Sequence, residues 1–199
     1  MRKKGFFICV EGLDGCGKTT QAKLLVKRLK NSYNAVYTAE PSRGKIGTFI
    51  KKNCLHGKRR LSSVVEALLF AADRFEHMEN EILPALREGK LVVSDRYVYS
   101  SLAYQGAAGL DLGWIEKINE HSIRPDLAVF IDVEPEIVIK RLKHKKSVME
   151  NLETQRKVRE VYLKFVEKGG LVKIDGNRSK REVAEEILTV VLGFLEKAC

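Results

Sequence analysis

Residues 11–20 read EGLDGCGKTT, and residues 12–19 within them match the pattern Gly-x-x-x-x-Gly-Lys-Thr. An apolar run, residues 6–10, precedes this segment, and apolar side chains at helical spacing follow it. Strand, glycine-rich loop and helix in this order form the context in which the pattern binds nucleotide phosphates. Glycines let backbone N–H groups turn toward an anion, and the helix adds its positive dipole end. We therefore predict a nucleoside triphosphate site, with Lys18 at the outer phosphates and Thr19 at Mg²⁺.

The bulk composition favours one domain spanning residues 1–199. Of the 199 residues, 44% are hydrophobic, which is enough to bury a full core without disulfide or metal support. The apolar runs fall short of the ~20 residues of a membrane span. The short run after the basic residues 1–4 leads directly into the glycine-rich loop, so we predict no signal peptide. The four cysteines show no metal or redox spacing and indicate a reducing, cytoplasmic location.

The net charge of +10 leaves three interpretations open. A nucleic-acid binder, an enzyme that grips two polyphosphate ligands, and a heat-adapted surface rich in Lys and Glu would each produce it. The densest basic run, residues 51–60, has no interleaved aromatic side chains on which bases could stack. We therefore expect small-molecule substrates, and neither a nucleic acid nor a membrane as a partner.

Five short apolar runs alternate with helical patterns, which predicts an α/β fold with a five-stranded parallel sheet flanked by helices on both faces. The predicted strands cover residues 6–10, 35–39, 91–93, 127–133 and 171–174. The longest predicted helix begins at Ser62 or Ser63 and runs to about Arg87, with Pro84 bending or ending it. Ligands of such sheets bind at the carboxyl ends of the strands.

Two further polar segments follow predicted strands at that same edge. Residues 40–43 follow the second strand, and Asp95 and Arg96 end the third. A carboxylate after an apolar strand is typical of the Walker B position, which orients Mg²⁺, so Asp95 joins Thr19 as a predicted metal ligand. The Arg96 guanidinium can bind a phosphate through two hydrogen bonds and neutralise charge during transfer.

On the longest predicted helix, Phe70 and Arg74 share one face because they are four residues apart. An aromatic ring beside an arginine suits a base-stacking platform with a polar contact nearby. The pattern alone is equally compatible with a core position for Phe70. The apolar stripe of this helix is predicted on its other side, at Val65, Leu68, Leu69 and Ala72.

Several segments together resemble the thymidylate kinase family. They are residues 11–20, then 69–77 (LFAADRFEH), 95–106 (DRYVYSSLAYQG), 125–133 (PDLAVFIDV) and 157–163 (KVREVYL). The resemblance covers about residues 6–187, and the 95–106 segment is its most specific part. It implies a P-loop kinase fold with a short basic lid at about residues 141–155. It also implies a homodimer that transfers the γ-phosphate of ATP to dTMP, with Mg²⁺, to give dTDP and ADP.

The resemblance also implies roles for individual residues. Asp14 would contact the 3′-hydroxyl of the acceptor sugar, Phe70 would stack on thymine, and Arg74 would bond the base. Arg96 would bind the acceptor phosphate, Ser100 and Ser101 would face the base, and Tyr104 and Gln105 would close the pocket, with Tyr104 excluding a 2′-hydroxyl. The predicted ATP-binding residues are Gly12, Leu13, Asp14, Gly15, Cys16, Gly17, Lys18, Thr19 and Thr20.

Two positions depart from the family pattern. Many members carry an arginine where this chain has Gly15, and members without it supply the charge from the lid. We therefore predict that a positively charged residue of the lid takes part in catalysis together with Lys18 and Arg96. Arg141 is the first candidate for this residue, and Lys143, Lys145 and Lys146 are the alternatives. The second departure is in residues 40–44, where Arg43 is a predicted ligand of the acceptor phosphate.

The acceptor in this chemistry is a phosphate oxygen that is already anionic, so no general base is needed. Four alternatives remain from the residues alone. One is a basic nucleic-acid-binding module, which strongly salt-dependent binding to DNA would indicate. A deoxynucleoside kinase would use Glu40 as a base, and a broader pyrimidine kinase would accept both dTMP and dUMP. A GTP-driven switch is disfavoured because the chain has no Asn-Lys-x-Asp segment that would read guanine.

Overall fold

The centre of the molecule is a parallel sheet with the strand order β2-β3-β1-β4-β5. A computed structural model describes residues 5–55, 61–142 and 151–198, and within them the sheet has five strands. These are β1 (Phe6–Gly12), β2 (Val36–Ala39), β3 (Leu91–Asp95), β4 (Leu127–Asp132) and β5 (Val172–Asp175). The predicted five-stranded parallel sheet is confirmed, and only its strand ends move, by one or two residues.

Helices cover both faces of the sheet, as predicted. They are α1 (Lys18–Tyr33), α2 (Lys45–Ile50), α3 (Ser63–His77), α4 (Leu83–Arg87), α5 (Val98–Ala107), α6 (Leu112–Ile118), α7 (Pro135–Arg141), α8 (Leu152–Glu167) and α9 (Lys180–Ala198). Consecutive residues of β1 point to opposite faces. Phe6 packs edge-on against Phe194 of α9, whereas Phe7 packs against Tyr97, just before α5. Helices α1 and α9 therefore lie on one face, and α5 and α8 on the other.

The longest predicted helix is continuous from Ser63 to Arg87 but changes its winding. Ser62 caps it by accepting a hydrogen bond from Val65 N–H. A π-helical segment, Met78–Ile82, joins α3 to α4, and Leu83 N–H donates to Met78 O, five residues back. The predicted disturbance near Pro84 therefore takes the form of a local widening just before the proline. The helix continues through Pro84 and ends at Arg87.

Two residues of the predicted apolar stripe of α3 face solvent, on the side of the helix away from Arg74. Leu68 is 48% exposed and Val65 is 43% exposed, whereas the buried face of α3 carries Ala67, Asp73 and Arg74. The inward face packs against α2, α5, α6 and the loop after β2, and His77 at its end contacts Thr38 of β2. This face holds polar side chains. The apolar side of α3 faces outward.

Candidate active site

The glycine-rich loop after β1 holds the first functional group. Gly17 caps α1 with a φ of 104°, in the left-handed region that favours glycine. The Lys18 ammonium folds back over the loop and donates to the backbone oxygens of Gly12 (2.9 Å) and Leu13 (2.6 Å). The positive charge of Lys18 and the N–H groups at the start of α1 therefore converge on one loop, which is where the triphosphate was predicted.

Asp95 and Thr19 lie together, as a shared Mg²⁺ site requires. The Thr19 hydroxyl donates to Asp95 Oδ2, and the Tyr37 hydroxyl also donates to it, at 3.3 Å. Asp95 Oδ1 is buried and finds no hydrogen-bond partner in the part of the chain that the structure describes. Burial and the Asp95 charge raise the pKa of Tyr37 to about 12. An unpartnered carboxylate oxygen beside a hydroxyl fits a hard cation such as Mg²⁺.

Arg96 and Asp14 form an ion pair across the site. Arg96 Nη2 contacts Asp14 Oδ1, and the guanidinium lies 5.1 Å from the centre of the Tyr104 ring. The Tyr104 hydroxyl accepts a hydrogen bond from Asp14 N–H (3.0 Å). Burial alone would raise the pKa of Asp14, but the Arg96 and Lys18 charges outweigh it and lower that pKa. Burial raises the pKa of Tyr104. The loop and the α5 segment are thereby joined at one point.

Arg74 lies inside a buried polar cluster. Its Nη2 donates to Glu40 Oε2 (2.7 Å) and Ser101 Oγ (3.0 Å), and its Nη1 donates to Asn119 Oδ1 (2.6 Å). The guanidinium also stacks 5.1 Å from the Tyr97 ring centre. Arg74 Nε is buried and has no hydrogen-bond partner among the described residues. Arg74 therefore keeps one donor available while its other nitrogens are held in place.

The remaining predicted substrate residues differ in their surroundings. Gln105 is buried, and its Oε1 lacks a partner within residues 5–55, 61–142 and 151–198. Phe70 is half-buried on α3, one turn before Arg74. Ser100 donates to the buried carboxylate of Glu11 (2.7 Å) and accepts from Arg96 Nη1 (2.9 Å), so its hydroxyl is engaged within the protein.

The structure does not bring every predicted residue into this cluster. Arg43 and Arg141 are exposed, at the loop after β2 and at the end of α7. Cys16 is a buried thiol whose pKa is raised by burial, and Thr20 is exposed on the first turn of α1. The alternative lid residues Lys143, Lys145 and Lys146 lie outside the described residues.

Sequence reasoning did not single out four polar residues around the site. Glu11 is fully buried at the end of β1, and Tyr162 donates to it (2.9 Å). Asp73 anchors the loop after β2, because it accepts from Ser42 N–H (2.8 Å) and from the Ser42 hydroxyl (2.6 Å). His77 contacts Glu40 Oε1 (3.3 Å) from α3. The available signal for Glu11 was a charged residue ending an otherwise apolar strand.

This fold and site define a P-loop nucleotide kinase: a parallel sheet in which a glycine-rich loop with its lysine lies beside a strand-end aspartate and arginine. The family model for thymidylate kinase matches residues 10–187. The probable thymidylate kinase of Pyrococcus abyssi is 45% identical over 197 residues, covering 94% of this chain and 96% of that protein. That of Thermococcus gammatolerans is 43% identical over 204 residues, covering 97% of each. The chain belongs to the thymidylate kinase family.

Family membership confirms the predicted class of activity, phosphoryl transfer to a nucleoside monophosphate with ATP as the family's donor. Membership supports dTMP as the acceptor, and no observation favours a deoxynucleoside kinase. In the described ranges, no helix combines the length and apolar character that crossing a membrane requires.

Proposed function

We propose that this chain transfers the γ-phosphate of ATP to dTMP, and that Arg74 and Gln105 read the base. The observation that carries the proposal is a complementary pair of unmet hydrogen-bonding atoms. Arg74 Nε is a buried donor and Gln105 Oε1 a buried acceptor, and neither has a partner among the described residues. Ser101, one helical turn before Gln105, accepts from Arg74, so the two elements meet at this point.

The edge of thymine matches this pair. Its O4 is an acceptor that suits Arg74 Nε, and its N3–H is a donor that suits Gln105 Oε1. Cytosine presents the reverse order, a donor at position 4 and an acceptor at N3, which would leave both buried groups unsatisfied. The half-buried ring of Phe70 would stack on the base from α3. These atoms do not separate thymine from uracil, because both share the same edge.

On the acceptor side, Arg96 would bind the dTMP phosphate and Asp14 the 3′-hydroxyl. The Asp14 N–H holds the Tyr104 hydroxyl, so the Tyr104 ring is fixed where it would exclude a 2′-hydroxyl. Arg43, exposed at the loop after β2, would add a second positive charge near the phosphate. Ser100 and Ser101 would line the base pocket through the first turn of α5, which carries both residues.

On the donor side, the loop from Gly12 to Thr20 would hold the triphosphate and Lys18 would reach its outer phosphates. Thr19 and Asp95 would hold Mg²⁺, which would neutralise phosphate charge when bound. An anionic oxygen of dTMP attacks the γ-phosphorus while the bond to the β-phosphate oxygen breaks, and ADP leaves. Lys18, Arg96 and a lid residue, Arg141 in our proposal, would stabilise the charge on the transferring group. No proton needs to be removed from the acceptor.

The state of Glu40 supports a nucleotide acceptor over a nucleoside one. Phosphorylating a sugar hydroxyl needs a carboxylate base, and Glu40 was the candidate. Its carboxylate is buried and ion-paired with Arg74 at 2.7 Å, with His77 at 3.3 Å on its other oxygen. Both oxygens of this carboxylate are therefore engaged inside the protein, and Glu40 is not free to approach a sugar hydroxyl.

A coupled assay of ADP release tests the function. We expect the highest kcat/KM with dTMP among dTMP, dUMP, dCMP, dGMP and thymidine. Arg96→Ala should lower kcat with dTMP by at least ~100-fold, the scale of one lost transition-state donor. Arg28→Ala is the control, because Arg28 pairs with Glu185 on the exposed side of α1. Faster turnover of thymidine than of dTMP would contradict the proposal, and near-normal activity of the Arg96 variant would remove Arg96 from its role.

We also propose a cytoplasmic homodimer. Exposed large apolar side chains gather on α2, on α3 and on the segment before it, at Phe49, Leu61, Val64, Val65 and Leu68. A surface of this kind suits association between protein chains. Cys9 and Cys16 are buried thiols that form no disulfide, which fits a reducing compartment.

A further inference from the structure

Arg96 adopts a backbone conformation that is unusual for a residue with a side chain. Its φ is +74°, in the left-handed region that favours glycine. Arg96 N–H donates to Val10 O (3.0 Å), and the Ser94 hydroxyl donates to Arg96 O (2.6 Å). Such conformations persist where the surroundings over-determine them, and they cluster at functional sites. The neighbours of Arg96 therefore hold it in place.

Glu11 is the charged member of these surroundings. It is fully buried at the end of β1, and its Oε1 accepts from Tyr97 N–H at 2.8 Å. Its Oε2 accepts from the hydroxyls of Ser100 (2.7 Å) and Tyr162 (2.9 Å). Tyr162 is itself fixed, because its buried ring stacks on Phe130 with 4.7 Å between the ring centres. Three donors therefore converge on one carboxylate.

The same carboxylate reaches both ends of Arg96. The Tyr97 N–H belongs to the peptide group that follows Arg96, so Oε1 holds the backbone on that side. Oε2 takes the single proton of the Ser100 hydroxyl, which leaves the Ser100 oxygen free to accept from Arg96 Nη1 at 2.9 Å. An ordered path thus runs from Glu11 through Ser100 to the guanidinium.

We propose that Glu11 is a positioning residue, which holds the Arg96 backbone through the Tyr97 N–H and aims the Arg96 guanidinium through the Ser100 hydroxyl. The inference rests on the proposed function, in which that guanidinium binds the acceptor phosphate. A carboxylate is needed because it only accepts hydrogen bonds. A Gln amide has only one acceptor oxygen, so in either orientation its NH2 group would face a donor, the Tyr97 N–H or the Ser100 hydroxyl, and one of the two contacts that hold Arg96 would be lost.

Burying the Glu11 carboxylate has a free-energy cost, and packing alone does not explain why a carboxylate stands at this position. Burial raises the pKa of Glu11, while the hydrogen bonds from Ser100 and Tyr162 and the charge of Arg96 act in the opposite direction. A buried carboxylate is expensive to keep ionised, and an amide of the same shape avoids that cost. A purely structural role therefore predicts little benefit from the charge, whereas a positioning role requires it.

Glu11→Gln tests the proposal. We expect kcat with dTMP to fall by at least ~10-fold. The fall should be smaller than the ~100-fold loss that a 1 Å misplacement at a reacting centre can cause. The KM for ATP should change by less than about twofold, because the phosphate loop keeps its contacts. In an Arg96→Ala background the same substitution should have no further effect on kcat, since residues that act as a unit are not additive.

A matched control and a second variant complete the experiment. The control is Asp126→Asn, because the Asp126 carboxylate also accepts a hydrogen bond from a strand, the Phe7 N–H at 2.8 Å, but at the opposite end of the sheet. This substitution should leave kcat unchanged. Tyr162→Phe removes one donor to Glu11 while it keeps the stacked ring. Should the Glu11 variant fail to fold, Tyr162→Phe takes its place, with an expected fall in kcat of about threefold that disappears in the Arg96→Ala background.

The outcomes separate the two proposals. The positioning role is overturned if Glu11→Gln has a normal kcat, or if it lowers kcat equally in the wild-type and Arg96→Ala backgrounds. In that case a severe loss of kcat in Arg96→Ala alone still supports the proposed function. Near-normal kcat for Arg96→Ala overturns the role of Arg96 and the positioning inference with it. A fall in kcat that Arg96→Ala abolishes supports both.

Discussion

In the proposed function, single buried atoms of Gln105 and Arg74 select the base. Arg74 is 1% exposed, and three partners orient its terminal nitrogens while Nε has none among the described residues. The Arg74–Glu40 pair shows why such a site is hard to alter. Removing either partner leaves a buried charge uncompensated, which typically costs about 3–5 kcal/mol of stability. Gln105 is the better probe, because it is uncharged.

Gln105→Leu should reduce selection for dTMP without destabilising the protein. Losing an acceptor for the thymine N3–H, worth about 1.4 kcal/mol, should lower kcat/KM with dTMP by about tenfold. The ratio of kcat/KM for dTMP to that for dCMP should fall with it. The melting temperature should not fall, because Gln105 Oε1 has no partner in the described part of the free protein. Steady-state kinetics with both nucleotides measure this, and an unchanged ratio would exclude Gln105 from base reading.

At the scale of elements, α7 connects the phosphate loop to the predicted lid. A Cβ added at Gly15 would lie 3.0 Å from Leu142 Cγ, so the loop and the end of α7 are close neighbours. Gly15 also has a φ of 83°, which a residue with a side chain adopts only with strain. An arginine at position 15 would therefore be strained in this loop, and the Leu142 side chain would have to shift to admit its Cβ. Arg141 is next to Leu142 in the chain, and it is the residue that we propose to supply a positive charge here.

Arg141→Ala should accordingly lower turnover more than nucleotide affinity. We expect kcat to fall by at least ~10-fold, since a charge that acts mainly in the transition state changes kcat. The KM for ATP should rise by less than about threefold. Arg124→Ala, an exposed arginine just before β4, is the control. A change in ATP affinity alone would move the role to Lys143, Lys145 or Lys146.

At the scale of the molecule, the exposed apolar side of α3 has no counterpart within the described chain. Leu68 is 48% exposed and Val64 is 44% exposed, although Glu66 and Ala67 between them are buried. An apolar face left outside the core of one chain is accounted for when a second copy covers it. The prediction of one domain over residues 1–199 remains a prediction, and the single sheet agrees with it.

Leu68→Glu should convert the proposed homodimer to a monomer. A charge buried in an apolar interface should weaken association by at least ~10-fold, the scale of one interface residue that contributes substantially to binding. Sedimentation velocity across a concentration series measures the change. Val172→Glu is the control, because Val172 is 39% exposed on the edge strand β5 and lies outside the apolar side of α3. A wild-type protein that sediments as a monomer at all concentrations would exclude the dimer.

Local signals in the sequence were sufficient to predict where the strands, the phosphate loop and the polar residues at the carboxyl ends of the strands lie. Residues 12–19 combine glycines, a lysine and a helix start, and the conformations of Gly15 and Gly17 agree with that assignment. Apolar runs bounded by turn residues marked all five strands to within two residues, because burial on both faces demands continuous apolar side chains. These features depend on neighbours in the chain, which a sequence displays directly.

The partners of charged side chains, in contrast, depended on the tertiary structure. Helical spacing placed Phe70 and Arg74 on one side of α3 and the apolar stripe on the other, and only the tertiary structure decided that Arg74 is buried and Leu68 exposed. Glu11 meets Tyr162 across 151 residues, and Arg74 meets Glu40 across 34. Such contacts arise only when the sheet order brings distant strand ends to one edge. The sequence by itself therefore determined the fold and the family, and the folded chain decided how Arg96 and Arg74 are held.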